Sequence, residues 1–163
     1  MTINVKIIVI TACIIFSCVA KSYGQEMEKE INFVISIDSE IAISIANPKI
    51  SIKDNNQVEQ IAISYIPGEL IMDNADFNRI MQSQKNQLIL TFDYYENSRE
   101  RQKVYSYEIV LERVWFEQSF RVLRIYNLDK KVNSKIFYPL EGKEYTYEID
   151  LPSNSITRIR KNK

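Results

Sequence analysis

The segment 127–142 holds the side chains of this chain that are best suited to binding a partner. It places Lys130, Lys131 and Lys135 close to Phe137 and Tyr138. Ammonium groups beside aromatic rings suit an anionic or peptide surface. The segment is also long for a link between two strands, and long ordered loops often carry function. We therefore expect a binding surface here. In the alternative, Phe137 closes the end of the fold and the lysines are only solvated.

Weaker candidates for partner contacts lie in the stretch 95–101. Tyr95 shares a strand face with Thr91 and Asp93, whereas most other tyrosines alternate in step with Ile and Leu and are expected in the core. Arg99 and Arg101 belong to a charged hairpin tip between two strands. A glycan-binding surface built on such exposed tyrosines is a further alternative.

The residue types that are missing exclude much chemistry. The chain has no histidine, and its two cysteines, Cys13 and Cys18, both lie near the N-terminus. Cys–His and Ser–His–Asp catalysis are therefore excluded, and zinc, which is bound mainly by Cys and His, is not expected. A pair of carboxylates could cleave a glycan, but no spacing singles out two of them. We expect a protein that is not an enzyme and that has no metal or cofactor.

The N-terminal residues indicate export. The largely apolar run from Ile7 to Ala20 is 14 residues long. As a helix it would span about 21 Å, shorter than a hydrocarbon core of about 30 Å. Ser22 and Gly24 then place small residues before a cut at Gln25. We predict a signal peptide at 1–24 and a single β-sandwich domain at 25–163.

Two alternatives would keep the protein at the membrane. The residues before Cys18 resemble a bacterial lipobox, and a lipid on Cys18 would give a membrane-anchored lipoprotein. The N-terminal segment could also stay uncleaved as an anchor. Apart from these routes we expect no membrane contact.

The composition and the signal suggest a source. The chain contains 26 Ile, 13 Lys and 13 Asn, and its signal ends just before Gln25. In these respects it resembles small exported proteins of the Bacteroidota. The resemblance implies a periplasmic or cell-surface location, and it assigns no functional residue.

The elements that must position these side chains are mostly strands. Apolar residues alternate with polar ones from Ile31 to Ile37, and the alternation predicts that Ile41 and Ile43 also face the core. The run 120–127 is apolar on both faces, which predicts a central strand. One short helix is expected after Asp73. The pattern predicts an all-β fold, an antiparallel two-sheet β-sandwich of immunoglobulin-like or related topology, with a closed β-barrel as the alternative.

The charge distribution limits the partners. Residues 25–98 carry 5 basic and 12 acidic side chains, whereas residues 99–163 carry 14 basic and 9 acidic ones. The balance gives no reason to expect nucleic acid as a partner. We expect a non-enzymatic exported module that binds another protein of the cell envelope or has a structural role there. The alternative is an immunity or inhibitor protein that blocks an envelope-targeted toxin or hydrolase.

Overall fold

The computed structural model describes residues 28–54, 57–83, 86–97, 102–158 and 160–161. Their secondary structure is mainly strand, with three short helices. The strands are β1 (Glu28–Ile37), β2 (Glu40–Ile41), β3 (Ile45–Asp54), β4 (Gln57–Ala62), β5 (Ser64–Ile66), β6 (Gly68–Asp73), β7 (Gln87–Asn97), β8 (Gln102–Leu111), β9 (Arg121–Asn127), β10 (Tyr145–Asp150) and β11 (Ser155–Ile156). The helices are α1 (Asn74–Gln82), α2 (Arg113–Glu117) and α3 (Lys131–Ser134).

The strands form two sheets. The larger sheet has the order β11-β10-β9-β1-β6-β5, with β2 added beside β1. The smaller sheet has the order β4-β3-β7-β8. In the described part of the chain, no strand of one sheet pairs with a strand of the other. The predicted all-β, two-sheet sandwich is therefore confirmed, and the alternative of a closed barrel is wrong.

The core lies between the two sheets and is built from the alternating apolar positions. Ile31, Phe33, Ile35 and Ile37 of β1 are all buried, as the period of two requires. The smaller sheet contributes Ile50, Ile52, Ile61, Leu88, Leu90, Phe92, Ile109 and Leu111. Tyr107 and Tyr145 are buried in the same cluster, and their rings meet edge to face at 5.0 Å. The prediction that these tyrosines belong to the core is confirmed.

Strand β9 occupies the central position that its two apolar faces predict. It lies between β1 and β10 in the larger sheet. Its pairing with β10 is antiparallel, but its pairing with β1 is parallel, from Phe33–Arg121 to Ile37–Ile125. A parallel pair needs a long connection, and here all the strands of the smaller sheet lie between β1 and β9 in sequence. The expectation of wholly antiparallel sheets is wrong at this pair.

The helices only partly match the prediction of a single helix. α1 begins after Asp73, as expected, and it turns Ile80 into the core. α2 and α3 are additional; they have five and four residues, too few to show a helical period in the sequence. α2 buries Trp115 in the core.

The residues after β1 contradict the prediction that their isoleucines face the core. Ala42 is fully buried, while Ile41 and Ile43 are 59% and 77% exposed. A tight turn at 38–39, with positive φ at both residues, pairs Ile41 with Ser36 of β1. Ser36 lies on the face of the sheet away from the core, so its partner takes that face too. A turn that shifts the register by one residue exchanges the two faces of a strand.

A polar cluster ties this turn to both sheets. We call it the Asp38 junction; it consists of Asp38, Glu96, Asn127, Lys130 and Asn133. The Asp38 carboxylate accepts hydrogen bonds from the backbone N–H and the side-chain amide of Asn127, both at 2.9 Å, and from the Asn133 amide at 2.6 Å. Lys130 Nζ lies 2.8 Å from Asp38 and 2.6 Å from Glu96 of β7. Because β1 and β7 belong to different sheets, Lys130 joins the two sheets.

The first testable prediction concerns this carboxylate. Asp38→Asn is expected to lower the free energy of unfolding by about 2–3 kcal/mol, because it removes a largely buried charge that accepts four polar contacts. Asparagine tolerates the positive φ of this position, so the loss reports on the carboxylate. Urea unfolding followed by circular dichroism measures it.

The matched control for Asp38→Asn is Asp150→Asn. The Asp150 carboxylate pairs with Arg124 at 2.7 Å, and both side chains are at least one third exposed. An exposed pair contributes less than about 1 kcal/mol. Equal losses in the two variants would contradict the role of the Asp38 junction.

Candidate functional site

The segment that the sequence selects for binding starts where β9 ends, and its own backbone bonds hold it in shape. The Ser134 N–H donates to the Lys130 carbonyl at 3.0 Å, and the Phe137 N–H donates to the Asn133 carbonyl at 2.9 Å. At its far end, Gly142 has φ +66°, a left-handed conformation that is readily adopted without a Cβ atom. This turn leads the chain into β10. The predicted binding residues are thus displayed on a defined backbone.

Lys130 is held by ion pairs within the protein, although 35% of its side chain is exposed. Its ammonium group lies between the carboxylates of Asp38 and Glu96 in the Asp38 junction. Burial alone would lower the pKa of Lys130, but hydrogen bonds and charge interactions with the two carboxylates outweigh it and raise the pKa. Lys130 therefore positions the loop, and the structure does not present it to a partner.

Phe137 is also a packing residue. It is buried, and its ring stacks on Tyr126 of β9 with the ring centroids 4.3 Å apart. Arg160 forms a β-bridge with Phe137 and places its guanidinium 5.5 Å from the centroid of that ring. The Lys161 N–H donates to the Ile136 carbonyl at 2.8 Å. We call residues 153–158 and 160–161 the C-terminal segment. Their contacts with Ile136 and Phe137 hold the loop against the outer face of the larger sheet.

This covering layer buries two polar residues of β10, Thr146 and Glu148. Their side chains share the outer face of the sheet, yet Thr146 is 0% and Glu148 is 4% exposed. Glu148 is satisfied, because it accepts hydrogen bonds from the Arg158 N–H at 3.0 Å and from the Tyr126 hydroxyl at 3.2 Å. The Thr146 hydroxyl has no hydrogen-bond partner in the described structure. A buried hydroxyl without a partner is costly and calls for an explanation.

A cavity of about 480 Å³ lies between the loop and the C-terminal segment. We call it the outer-face pocket; its lining residues are Tyr138, Pro139, Leu140, Thr146, Thr157 and Arg158. Tyr138, Pro139 and Leu140 make one wall largely apolar, while the threonines and Arg158 supply polar groups. The pocket thus joins an aromatic ring and a cation, with Thr146 buried beneath it.

Three of the predicted loop residues face solvent. Lys131 and Lys135 are exposed, and Tyr138 is 55% exposed although it lines the outer-face pocket. The Lys161 ammonium lies 5.2 Å from the centroid of the Tyr138 ring. Arg160 adds a fourth cation close by, with 63% of its side chain exposed. The loop and the C-terminal segment therefore form one basic, aromatic surface.

The remaining predicted residues are not part of this surface. Tyr95 is half-buried on the smaller sheet, where its N–H donates to the Ser44 carbonyl at 3.1 Å. Arg99 and Arg101 lie outside the described residues. The same is true of Cys18 and of the predicted signal peptide at 1–24, so the location of the protein stays a prediction.

Sequence reasoning missed Thr146 and Arg158. Thr146 alternates with Tyr145 and Tyr147, so the pattern suggests an ordinary solvent-facing position. Burial of that face depends on a segment that begins after Pro152 and folds back over the sheet. The basic character of this segment is visible in the sequence, but its contact with Phe137 is not.

Searches for metal-binding groups, membrane-spanning helices and similar proteins identify no further feature of the described residues that suggests a function. Among the described residues, no three Asp, Glu, Cys or His side chains are grouped so that they could hold a metal ion. No helix in that part of the chain has the length and apolar character needed to cross a membrane. No protein-family model, curated protein or solved structure matches this chain. The geometry of the outer-face pocket and of the basic surface beside it is therefore what bears on the function.

The second prediction tests the Thr146 hydroxyl. Thr146→Val is expected to raise the free energy of unfolding by about 0.5–1 kcal/mol, because valine keeps the shape and removes an unbonded buried hydroxyl. Chemical unfolding of the two proteins measures the difference. Thr157→Val, at an exposed position in the same pocket, is the control and should change stability by less than about 0.5 kcal/mol. A clear loss of stability in Thr146→Val would show that the protein itself uses the hydroxyl.

Proposed function

We propose that this protein is a non-catalytic binding protein of the bacterial cell envelope, and that its partner docks on the outer-face pocket and the basic surface beside it. The observation that carries the proposal is the exposed Tyr138 ring, which borders the pocket and is surrounded by cations of the loop and the C-terminal segment.

The charges favour an anionic partner. Lys131, Lys135 and Arg160 are exposed, and Arg158 lines the pocket. Glu148 of β10 is buried and already bonded, whereas Glu141 and Glu144, just before β10, are exposed. The exposed cations outnumber these two acids, so an acidic segment of another protein would meet a surface with net positive charge, which would speed association and select against basic partners.

The apolar part of the surface supports recognition of a protein. Tyr138 presents an exposed ring beside Pro139 and Leu140, and tyrosine is common among the residues that dominate binding energy. The partner we propose is an exported protein whose acidic segment carries an apolar side chain for the pocket. An envelope-targeted toxin or hydrolase would fit this description, in which case the protein acts as an inhibitor.

The third prediction uses photo-cross-linking in intact cells that produce the full chain. A photoreactive amino acid in place of Tyr138 is expected to capture a discrete partner. The same amino acid in place of Val58, which is 56% exposed on β4 of the smaller sheet, serves as the control and should not. The partner is then identified by mass spectrometry, which also shows whether it carries an acidic segment.

Variants sharpen this test. Combining Lys131→Gln with Lys135→Gln leaves the interior contacts intact and should lower the Tyr138 cross-link several-fold by removing charge attraction. Thr146→Val, which changes only a hydroxyl shielded beneath the pocket, should leave the cross-link unchanged. Equal cross-linking at Tyr138 and Val58, or a yield that the lysine variant does not change, would overturn the proposed site.

A further inference from the structure

The outer edge of the smaller sheet, formed by β8, has a closed half and an open half. The Tyr145 hydroxyl accepts a hydrogen bond from the Glu108 N–H and donates one to the Glu108 carbonyl, both at 2.8 Å. The Tyr147 hydroxyl donates to the Val110 carbonyl at 3.4 Å. These tyrosines occupy main-chain groups that another strand would otherwise use, and so they close this half of the edge.

The open half lies at Val104 and Ser106. Because the N–H and C=O of Glu108 point away from β7, the period of two directs the same groups of Ser106 and Val104 outward as well. No described residue makes a hydrogen bond to these outward groups. The pairing of β8 with β7 is regular from Tyr95–Val104 to Leu88–Leu111, so no bulge disturbs the edge.

Two adjoining cavities, of about 680 and 300 Å³, run along this edge. We call them together the β8 trough; the lining residues that they share are Ser106, Tyr107, Lys143 and Tyr145. The opposite wall of the smaller cavity is formed by Asn127, Asp129, Gly142 and Glu144. The trough therefore offers space for a single chain beside β8, whereas the edge of a second sheet would meet this wall.

The floor of the larger cavity is polar, and its carboxylates are already partnered. Asp93 accepts hydrogen bonds from the Ser106 hydroxyl at 2.6 Å and the Asn47 amide at 3.1 Å, which lower the pKa of Asp93. Glu108 pairs with Lys143 at 3.1 Å. An occupant with a net charge would gain little from a floor whose charges are balanced.

The side chain of this floor that an added strand would meet is that of Ser106, which is exposed. Its hydroxyl donates to Asp93 and can still accept a hydrogen bond from a polar side chain on a neighbouring strand. The Thr91 hydroxyl lies one strand further in, on β7, and is shielded from solvent.

We propose that the β8 trough binds an extended peptide segment of another protein by strand addition. The segment pairs with β8 through the N–H and C=O groups of Val104 and Ser106, and it places uncharged polar side chains, such as Ser, Thr or Asn, beside the Ser106 hydroxyl. The site shares no residue with the outer-face pocket, so the two proposals can be tested independently.

The test is selection from a phage-displayed library of random octapeptides on the full chain. The expected result is enrichment of peptides rich in Ser, Thr and Asn and without net charge. The most enriched peptide is then synthesised, and its affinity is measured by fluorescence anisotropy. Failure to enrich any peptide would overturn the proposal, as would enrichment of strongly charged ones.

Ser106→Pro is the decisive variant. Proline removes the outward N–H of Ser106, which β7 does not use, so an edge strand can accept it. We expect the peptide to bind on the order of tenfold more weakly, because one main-chain hydrogen bond is lost and the strand contact is disturbed. Ser106→Ala is the matched control: it keeps the N–H, removes only the hydroxyl, and should bind within a few-fold of the unmodified protein.

Further measurements keep the outcome unambiguous. Circular dichroism checks the fold of each variant, and Val104→Pro replaces Ser106→Pro if the latter does not fold. Equal peptide affinity in the proline and alanine variants would overturn strand addition. The alternative occupant of the edge is a second copy of this protein, and analytical ultracentrifugation tests for it. If the unmodified protein forms dimers that Ser106→Pro abolishes, a second copy fills the edge and the proposal is wrong.

Discussion

The carboxylate of Asp38 is the constraint on which the rest of this structure depends. It gathers the end of β9, the start of α3 and, through Lys130, the β7–β8 hairpin around one buried charge. The chain has no cysteine beyond residue 18, so cystines cannot provide this link in the folded part. Both proposed binding surfaces adjoin it. The loop that lines the outer-face pocket starts at α3, and the β8 trough is walled by Asn127 and its neighbours.

The two surfaces share a physical feature but differ in chemistry. Each contains a threonine hydroxyl that is buried without a partner, Thr146 in one and Thr91 in the other. The outer-face pocket lies beside exposed cations and a tyrosine ring, which suits an acidic, partly apolar segment. The β8 trough has balanced charges and free main-chain groups, which suit a neutral extended segment. A protein that carries both could hold two partners, or two segments of one partner, at once.

The sequence predicts the sandwich well where local pattern decides the structure. The alternation in β1 and β7 places Phe33 and Leu90 in the core, as observed. It fails at Ile41 and Ile43, because a two-residue turn with positive φ sets the register there and periodicity does not encode it. The parallel pairing of β1 with β9 is equally invisible, since it joins segments far apart in the chain.

The candidate site could be predicted only in part, for a related reason. The sequence points to the loop, and Lys131, Lys135 and Tyr138 are indeed exposed there. It cannot show that Lys130 pairs with Glu96 or that Phe137 stacks on Tyr126, because those partners lie on other strands. Thr146 and the open edge at Ser106 depend on how distant segments cover or expose a strand. Such features follow from tertiary contacts, which no short pattern records.

The central claim is that the Asp38 carboxylate holds the binding loop in place on an otherwise independent sandwich. Amide hydrogen exchange, measured residue by residue in the unmodified protein and in Asp38→Asn, tests it most directly. We expect the amides of Ile136, Phe137 and Lys161 to exchange at least tenfold faster in the variant, on the order of the loss of one buried hydrogen bond, and to do so by local opening at a free energy below that of global unfolding. The amides of Leu90 and Thr91 in β7 should lose only the protection that the loss of global stability in urea accounts for. Unchanged protection of the loop amides, or loop amides that exchange only by global unfolding together with those of β7, would contradict the account.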